Sequence, residues 1–211
     1  MKINEIFKSI QGESSFAGIP TVFVRLTGCN LRCQWCDTKY AYDEGVDLIV
    51  DEVIGRVNAF RLQFIQITGG EPLLQEDVYE LMDRLLNMDY NVSLETNGSI
   101  NLSSVDKRVV KIIDIKCPSS GESDRMDFGN INYLTKSDEI KFVINDRDDY
   151  NWAKEIIDRY NLIKRCNILI SPVYGEIEPR QLAEWILGDN LNVRLQIQLH
   201  KLLWHPEMRG V

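Results

Sequence analysis

Short β-branched or apolar runs alternate with longer amphipathic stretches through most of the chain, and this alternation restricts the fold more than any other feature. Strands joined through crossover helices give a largely parallel sheet with helices packed on it. Residues 21–26 read as a strand carrying Val22, Phe23 and Val24. A helix is expected over 47–60, where Ile49, Val50, Val53, Ile54 and Val57 share one face. The pattern then repeats as a strand at 64–67, a helix at 76–88, and strands at 91–94, 109–115 and 139–144. It closes with a helix at 148–160, a strand at 167–170, a helix at 179–187 with Pro179 at its start, and a final strand at 193–199. Residues 3–10 read as a short strand entering the loop 11–15, whose Gly and Ser favour irregular backbone. The expectation is a single α/β domain spanning 1–211, with about six main parallel strands in an incomplete barrel, too few for eight βα units. A chain of 211 residues, 44% hydrophobic, has room for one full core.

Unusual residues collect where these strands end. Gly28-Cys29 follows the first, Thr68-Gly69-Gly70-Glu71-Pro72 the second and Glu95-Thr96-Asn97-Gly98 the third. Lys116-Cys117-Pro118, Ser171-Pro172 and His200-Lys201 follow later ones. The C-terminal edge of a parallel sheet is where loops converge on a ligand, so these six segments are expected in one pocket.

Charge and cysteine usage narrow the function. Lys and Arg total 24 against 32 Asp and Glu, a net charge of -8, which disfavours direct nucleic-acid binding because a duplex binder needs a basic face. Residues 1–13 mix charged and apolar side chains without a signal-peptide core, and no run reaches membrane-spanning length, so a cytoplasmic location is expected. Of the five cysteines, Cys29, Cys33 and Cys36 crowd into a C-x3-C-x2-C loop, a poor disulfide framework and a good metal-ligand set. Cys117 and Cys166 stand alone, as packing thiols do. Three thiolates at this spacing can hold three irons of a [4Fe–4S] cluster, leaving the fourth iron open for chemistry. A zinc site completed by a distant Cys or His, or three unrelated core thiols, would use the same residues.

The motif Cys29-Asn30-Leu31-Arg32-Cys33-Gln34-Trp35-Cys36, with Trp35 in the aromatic place, resembles that of the radical S-adenosylmethionine (radical SAM) superfamily. The resemblance implies that the cofactor's methionyl amine and carboxylate chelate the open iron and that reduction releases a 5′-deoxyadenosyl radical. Gly69-Gly70-Glu71-Pro72 resembles the superfamily's second motif, which implies contact with the methionyl amine. Two glycines permit a close approach, Glu71 offers an acceptor and Pro72 fixes the turn.

Further segments resemble the 7-carboxy-7-deazaguanine synthase family: residues 3–7 and 9–13, Phe23-Val24-Arg25-Leu26, Cys36-Asp37-Thr38, Glu95-Thr96-Asn97-Gly98 and Gln198-Leu199-His200-Lys201. The likeness is weakest between Cys117 and Ser137. It implies a radical SAM lyase that contracts 6-carboxy-5,6,7,8-tetrahydropterin to 7-carboxy-7-deazaguanine with loss of ammonia, assisted by Mg2+, for 7-deazapurine and queuosine biosynthesis. Carried onto this sequence, it implies pterin contacts at Ile10, Gln11, Gly12, Glu13, Arg25 and Thr96 and at the chain-terminal Val211. Arg suits a substrate carboxylate through its planar fork. It implies a Mg2+ contact at Thr38, and S-adenosylmethionine contacts at Trp35, Cys36, Asp37, Gly69, Gly70, Glu71 and Gly98, then at Asp114, Ile115 and Lys116 and at Ser171, Pro172, Val173 and Tyr174. A homodimer and an electron donor such as flavodoxin or ferredoxin are also implied.

Ser14 departs from the family's Gln-Gly-Glu-Gly, so either Ser14 takes a positive φ or the loop runs differently. Leu202, Leu203 and Trp204 favour a docked C-terminal segment. No general base can be named, and the two histidines, His200 and His205, read equally well as structural. A small glycyl-radical activase and a non-catalytic iron–sulfur electron carrier are the competing functions; a carrier would ordinarily have a fourth cysteine.

Overall fold

A computed structural model describes all 211 residues. The elements run β1 (Lys2–Ile10), β2 (Pro20–Leu26), β3 (Val46–Asp47), α1 (Val50–Ala59), β4 (Phe64–Gly69), α2 (Asp77–Asn87), β5 (Asn91–Thr96) and β6 (Val110–Ile115). They continue with β7 (Glu139–Ile144), α3 (Arg147–Arg159), β8 (Asn167–Pro172), α4 (Pro179–Gly188), β9 (Arg194–Leu195) and α5 (His200–Leu203). All nine strands form one sheet in the order β3-β1-β2-β4-β5-β6-β7-β8-β9. From β2 through β9 every neighbour is parallel, whereas β1 pairs antiparallel with β2 and with β3. The sheet does not close, which agrees with the expected incomplete barrel.

The parallel strands are two-faced. Val22, Val24 and Leu26 of β2, Ile65 and Ile67 of β4, Val92 and Leu94 of β5, and Ile140, Phe142 and Ile144 of β7 enter a core cluster of 39 buried residues. Helices α1 and α2 complete that cluster with Val53, Val57, Val78, Leu81 and Leu85, and α3 with Ile156 and Ile157. The intervening residues Arg25, Gln66, Thr68, Glu95, Asp114 and Lys141 point the other way, into a cavity. Side chains alternate across a strand, so one face packs while the other stays free for chemistry.

Three elements differ from expectation. β1 is nine residues long and runs antiparallel to β2. The β5–β6 connection has no helix and the β6–β7 connection has only 3-10 turns. The expected strand at 193–199 shrinks to Arg194–Leu195 and gives way to α5, because Leu199 N–H donates to Gly12 O (2.9 Å) and turns the chain onto the loop after β1.

Candidate active site

The inner sheet face and its loops enclose a cavity of about 830 Å³, within the range of small-molecule sites. Cys29, Cys33 and Cys36 line it together. Two glycines set the position of their loop. Gly69 has φ +151, and a Cβ there would lie 2.7 Å from Leu26 N. A Cβ on Gly70 would lie 2.6 Å from the Gly28 carbonyl carbon and 2.9 Å from Cys29 Cβ. The turn after β4 therefore presses on the cysteine loop, and the Glu71 N–H donates to Gly28 O at 2.7 Å. From the far side, the 118–125 turns support the loop through Gln34 N–H to Ser120 O (3.1 Å) and Arg32 N–H to the Glu122 carboxylate (2.6 Å).

No three His, Cys, Asp or Glu side chains converge closely enough to hold one metal ion. Three thiols spread around a single cavity wall suit a group larger than one ion, as a [4Fe–4S] cluster is. Burial pushes the Cys33 thiol up to about 11, against the pull of the Lys116 ammonium, and burial likewise raises Cys29. A bound cation would favour the thiolate form of these two against that burial. Asp114 Oδ1 lies buried in the same wall with no hydrogen-bond partner, an acceptor suited to a polar ligand.

On the opposite wall, Arg25 Nε donates to Glu5 Oε1 at 2.8 Å and its two terminal nitrogens make no protein hydrogen bond. Tyr40 OH also donates to Glu5 Oε1, at 3.2 Å, and Arg25 packs against the Phe7 and Tyr40 rings. The free end of the guanidinium is a two-donor fork beside the cavity. The loop after β1 brings Ile10, Gln11, Gly12 and Glu13 to the same wall. Gln11 is fixed by its Nε2 donating to Gln66 Oε1 (2.8 Å). Ser14 takes the positive φ, +66°, and its Oγ accepts from Phe16 N–H (3.1 Å). Thr38 Oγ1 faces the cavity while donating to Asp37 Oδ1 (2.9 Å).

Trp35, Asp37, Gly69, Gly70, Thr96, Lys116, Ser171, Pro172, Val173, Tyr174 and Val211 also line the cavity. Three expected contacts do not. Glu71 is fully buried beneath the wall, its carboxylate accepting from Thr96 Oγ1 (2.9 Å), Asn97 N–H (2.7 Å) and Leu73 N–H (3.0 Å). It braces the ends of β4 and β5. Gly98 sits behind Thr96, where its φ of +74 turns the chain against Ile113. Ile115 has the parity of Ile113 on β6 and enters the core.

The C-terminal segment docks differently from expectation. Leu202 and Leu203 remain exposed, and polar contacts do the docking. Gln198 Nε2 donates to Glu13 Oε1 (2.8 Å), Lys201 pairs with Asp37 (3.0 Å) and Arg209 with Glu44 (2.8 Å). Gly12 admits His200, since a Cβ on Gly12 would lie 2.9 Å from the ring Cγ. Thr68 and Glu95 belong to strand-end segments already expected in the pocket, whereas the inner-face residues Gln66 and Lys141 were absent from the sequence expectation. Their only signal was a polar residue alternating with apolar ones, Gln66 with Thr68 on β4 and Glu139 with Lys141 on β7.

Comparison with known proteins adds the family. Residues 23–186 match the radical SAM superfamily. A 7-carboxy-7-deazaguanine synthase from Koribacter versatilis is 44% identical, covering all of both chains. One from Chlorobaculum tepidum is 46% identical over 100% of this chain and 97% of its own. Among solved structures, QueE from Escherichia coli superposes with a TM-score of 0.80 at 23% identity over 94% of each chain, a likeness of fold.

Proposed function

The chain belongs to the radical SAM superfamily and, within it, to the 7-carboxy-7-deazaguanine synthase family, and on that premise we propose that it converts 6-carboxy-5,6,7,8-tetrahydropterin to 7-carboxy-7-deazaguanine and ammonia. The product would feed queuosine biosynthesis. One observation carries the assignment to this cavity: the three thiols and the free fork of Arg25 line a single space of about 830 Å³.

In this reading Cys29, Cys33 and Cys36 hold the [4Fe–4S] cluster. Trp35, Asp37, Gly69 and Gly70, with Asp114, Lys116 and the 171–174 segment, surround S-adenosylmethionine. When bound, the cluster and S-adenosylmethionine supply hydrogen-atom abstraction from the pterin. Arg25 pairs its terminal nitrogens with the pterin carboxylate, and Glu5, holding Nε, aims them. Gln11, Gly12, Glu13 and Thr96 hold the ring, and the tail residues Arg209 and Val211 cover it. Thr38 gives its hydroxyl oxygen to Mg2+, a hard ion that takes its remaining ligands from substrate and water. Residues 1–211 act as one domain, as a cytoplasmic homodimer reduced by a flavodoxin or ferredoxin.

The test is an anaerobic assay of the reconstituted protein with S-adenosylmethionine, Mg2+, a low-potential reductant and the pterin, with products followed by mass spectrometry. 7-Carboxy-7-deazaguanine is the expected product. Appearance of 5′-deoxyadenosine without it would remove the pterin assignment and favour an activase. Absence of both from a fully loaded sample would favour an electron carrier.

A further inference from the structure

The inner face carries a cation to which the proposed chemistry gives no role. Lys141, in the middle of β7, is only 5% exposed. Its ammonium donates to Glu13 Oε2 at 2.7 Å and to Glu95 Oε1 at 2.6 Å, and lies 3.3 Å from Asp114 Oδ2. These carboxylates come from three different elements: the loop after β1, strand β5 and strand β6. Lys116 shares Asp114 at 3.0 Å, and Gln66 and Thr68 donate to the other oxygen of Glu95 at 3.0 and 3.2 Å.

Such a network is a weak source of fold stability, because desolvating the ions offsets their attraction. Its three carboxylates nevertheless all border the cavity. Glu13 sits on the loop after β1, outside the sheet ladder, whereas Lys141 is fixed within the sheet. Each Glu13 oxygen takes one protein donor, Gln198 at Oε1 and Lys141 at Oε2, and a carboxylate oxygen accepts two. Free acceptor capacity is therefore left toward the cavity, where it suits the ring N–H donors of a pterin.

We infer that Lys141 is a positioning residue for the pterin, acting through Glu13, which it locks against the sheet with acceptor capacity turned to the substrate. The inference rests on the proposed function. The charge balance agrees with the geometry. Burial alone would push the Glu13 carboxyl up; the Lys141 ammonium, helped by Gln198 and His200, outweighs it and holds Glu13 below its ordinary value. Glu95 and Asp114 reach Glu13 only through Lys141, and both hold the Lys141 ammonium charged. A Glu13 without Lys141 keeps the burial and loses the main counter-charge, so it protonates more readily and loses acceptor capacity as pH falls.

The test is calorimetric titration of the reconstituted protein with 6-carboxytetrahydropterin, anaerobic, with S-adenosylmethionine and without reductant, so that binding is read in the absence of turnover. Lys141→Met should weaken pterin binding about thirty-fold, the scale of removing one partner of a buried charge pair, while leaving S-adenosylmethionine affinity within about threefold. Its pterin affinity should also fall on acidification over a range where that of the unaltered protein is flat. In a Glu13→Gln background the same change should shift affinity by less than about threefold, the non-additivity of two residues acting as one. Lys141→Arg should recover most of the loss. If Lys141→Met fails to fold, Lys141→Gln takes its place in the cycle. Additive effects of the two substitutions, or unchanged pterin affinity on loss of the ammonium, would overturn the inference while leaving the proposed function intact. Failure of the unaltered protein to bind the pterin would overturn both.

Discussion

Replacing Gly70 by alanine tests whether the turn after β4 sets the position of the cysteine loop. The new Cβ would lie 2.6 Å from the Gly28 carbonyl carbon and 2.9 Å from Cys29 Cβ. The Gly28 carbonyl oxygen lies nearer still, and since ordinary contact begins near 3.4 Å the two backbones must separate by more than ~1 Å; none of these atoms is the end of a flexible side chain. Overpacking of this kind costs about 1–3 kcal/mol. The Glu71 N–H to Gly28 O bond (2.7 Å) spans the same gap, and its loss adds about 1 kcal/mol. A total of about 2–4 kcal/mol corresponds, at about 2–4 °C per kcal/mol for a chain of this size, to a melting point lowered by about 10 °C. Gly55 is the internal control: it lies within α1, and a Cβ there meets nothing within 4 Å. Gly55→Ala should raise stability by about 0.5–1 kcal/mol through helix propensity alone. Thermal unfolding of the two variants, followed by circular dichroism with iron per chain measured in parallel, should show opposite signs and iron loss only in Gly70→Ala. A Gly70→Ala melting point within about 2 °C of the parent, with full iron, would refute the argument.

Asp138→Ala should destabilise the fold by about 3–5 kcal/mol. It strips Lys111, buried with it, of its carboxylate (3.1 Å) and leaves the ammonium only Val109 O, so an unchanged urea midpoint would contradict the pairing. Cys33→Ala should abolish cluster loading, read as iron content and visible absorbance; retained iron and activity would remove Cys33 from the ligand set. Deleting residues 209–211 removes Arg209 and Val211 from the cavity lining, and should raise the KM for the pterin at least several-fold, the scale of losing a charged hydrogen bond to the substrate. Unchanged kinetics would show that the tail does not cover the site.

The outer half of the molecule was legible because burial there writes a simple pattern. Val53, Val57, Leu81 and Leu85 pack on Val24, Ile65, Ile67 and Leu94, and each stripe has the period of its own element. The cysteine loop was legible for another reason, since three ligands on one loop need no fold to bring them together. What stayed hidden depends on contacts distant in sequence. Lys141 and Glu13 are 128 residues apart, and a Lys at an alternating strand position reads as a solvated face until the sheet curves over it. Val193, Leu195, Ile197 and Leu199 alternate like a strand, but the sheet ends at β9 and Gly12 O captures Leu199 N–H. Glu71 was legible only as a member of a motif: the donors that hold its carboxylate, in its own turn, at the end of β5 and just after it, are brought together by the fold.

The two sides of the cavity are held by different physics, and this bears on how a ligand enters. The cysteine side is clamped by backbone hydrogen bonds and by glycines with no room for a Cβ, so movement there would break several buried contacts at once. The other side is closed by the C-terminal segment, which reaches the loops after β1 and β2 through Gln198, Lys201 and Arg209. Arg209 and Glu44 are both exposed, and a pair of that kind contributes about 0–1 kcal/mol, whereas the Lys201 side chain is buried and, against the opposing effect of burial, holds the Asp37 carboxyl well below its ordinary value. The segment's apolar residues Leu202, Leu203 and Met208 add little, because they remain in solvent. Opening the mouth of the barrel at residues 205–211, beyond the backbone bond of Leu199 to Gly12, therefore costs less than moving the cysteine loop. Substrate exchange is expected past this outer stretch, while the wall that carries the thiols stays closed.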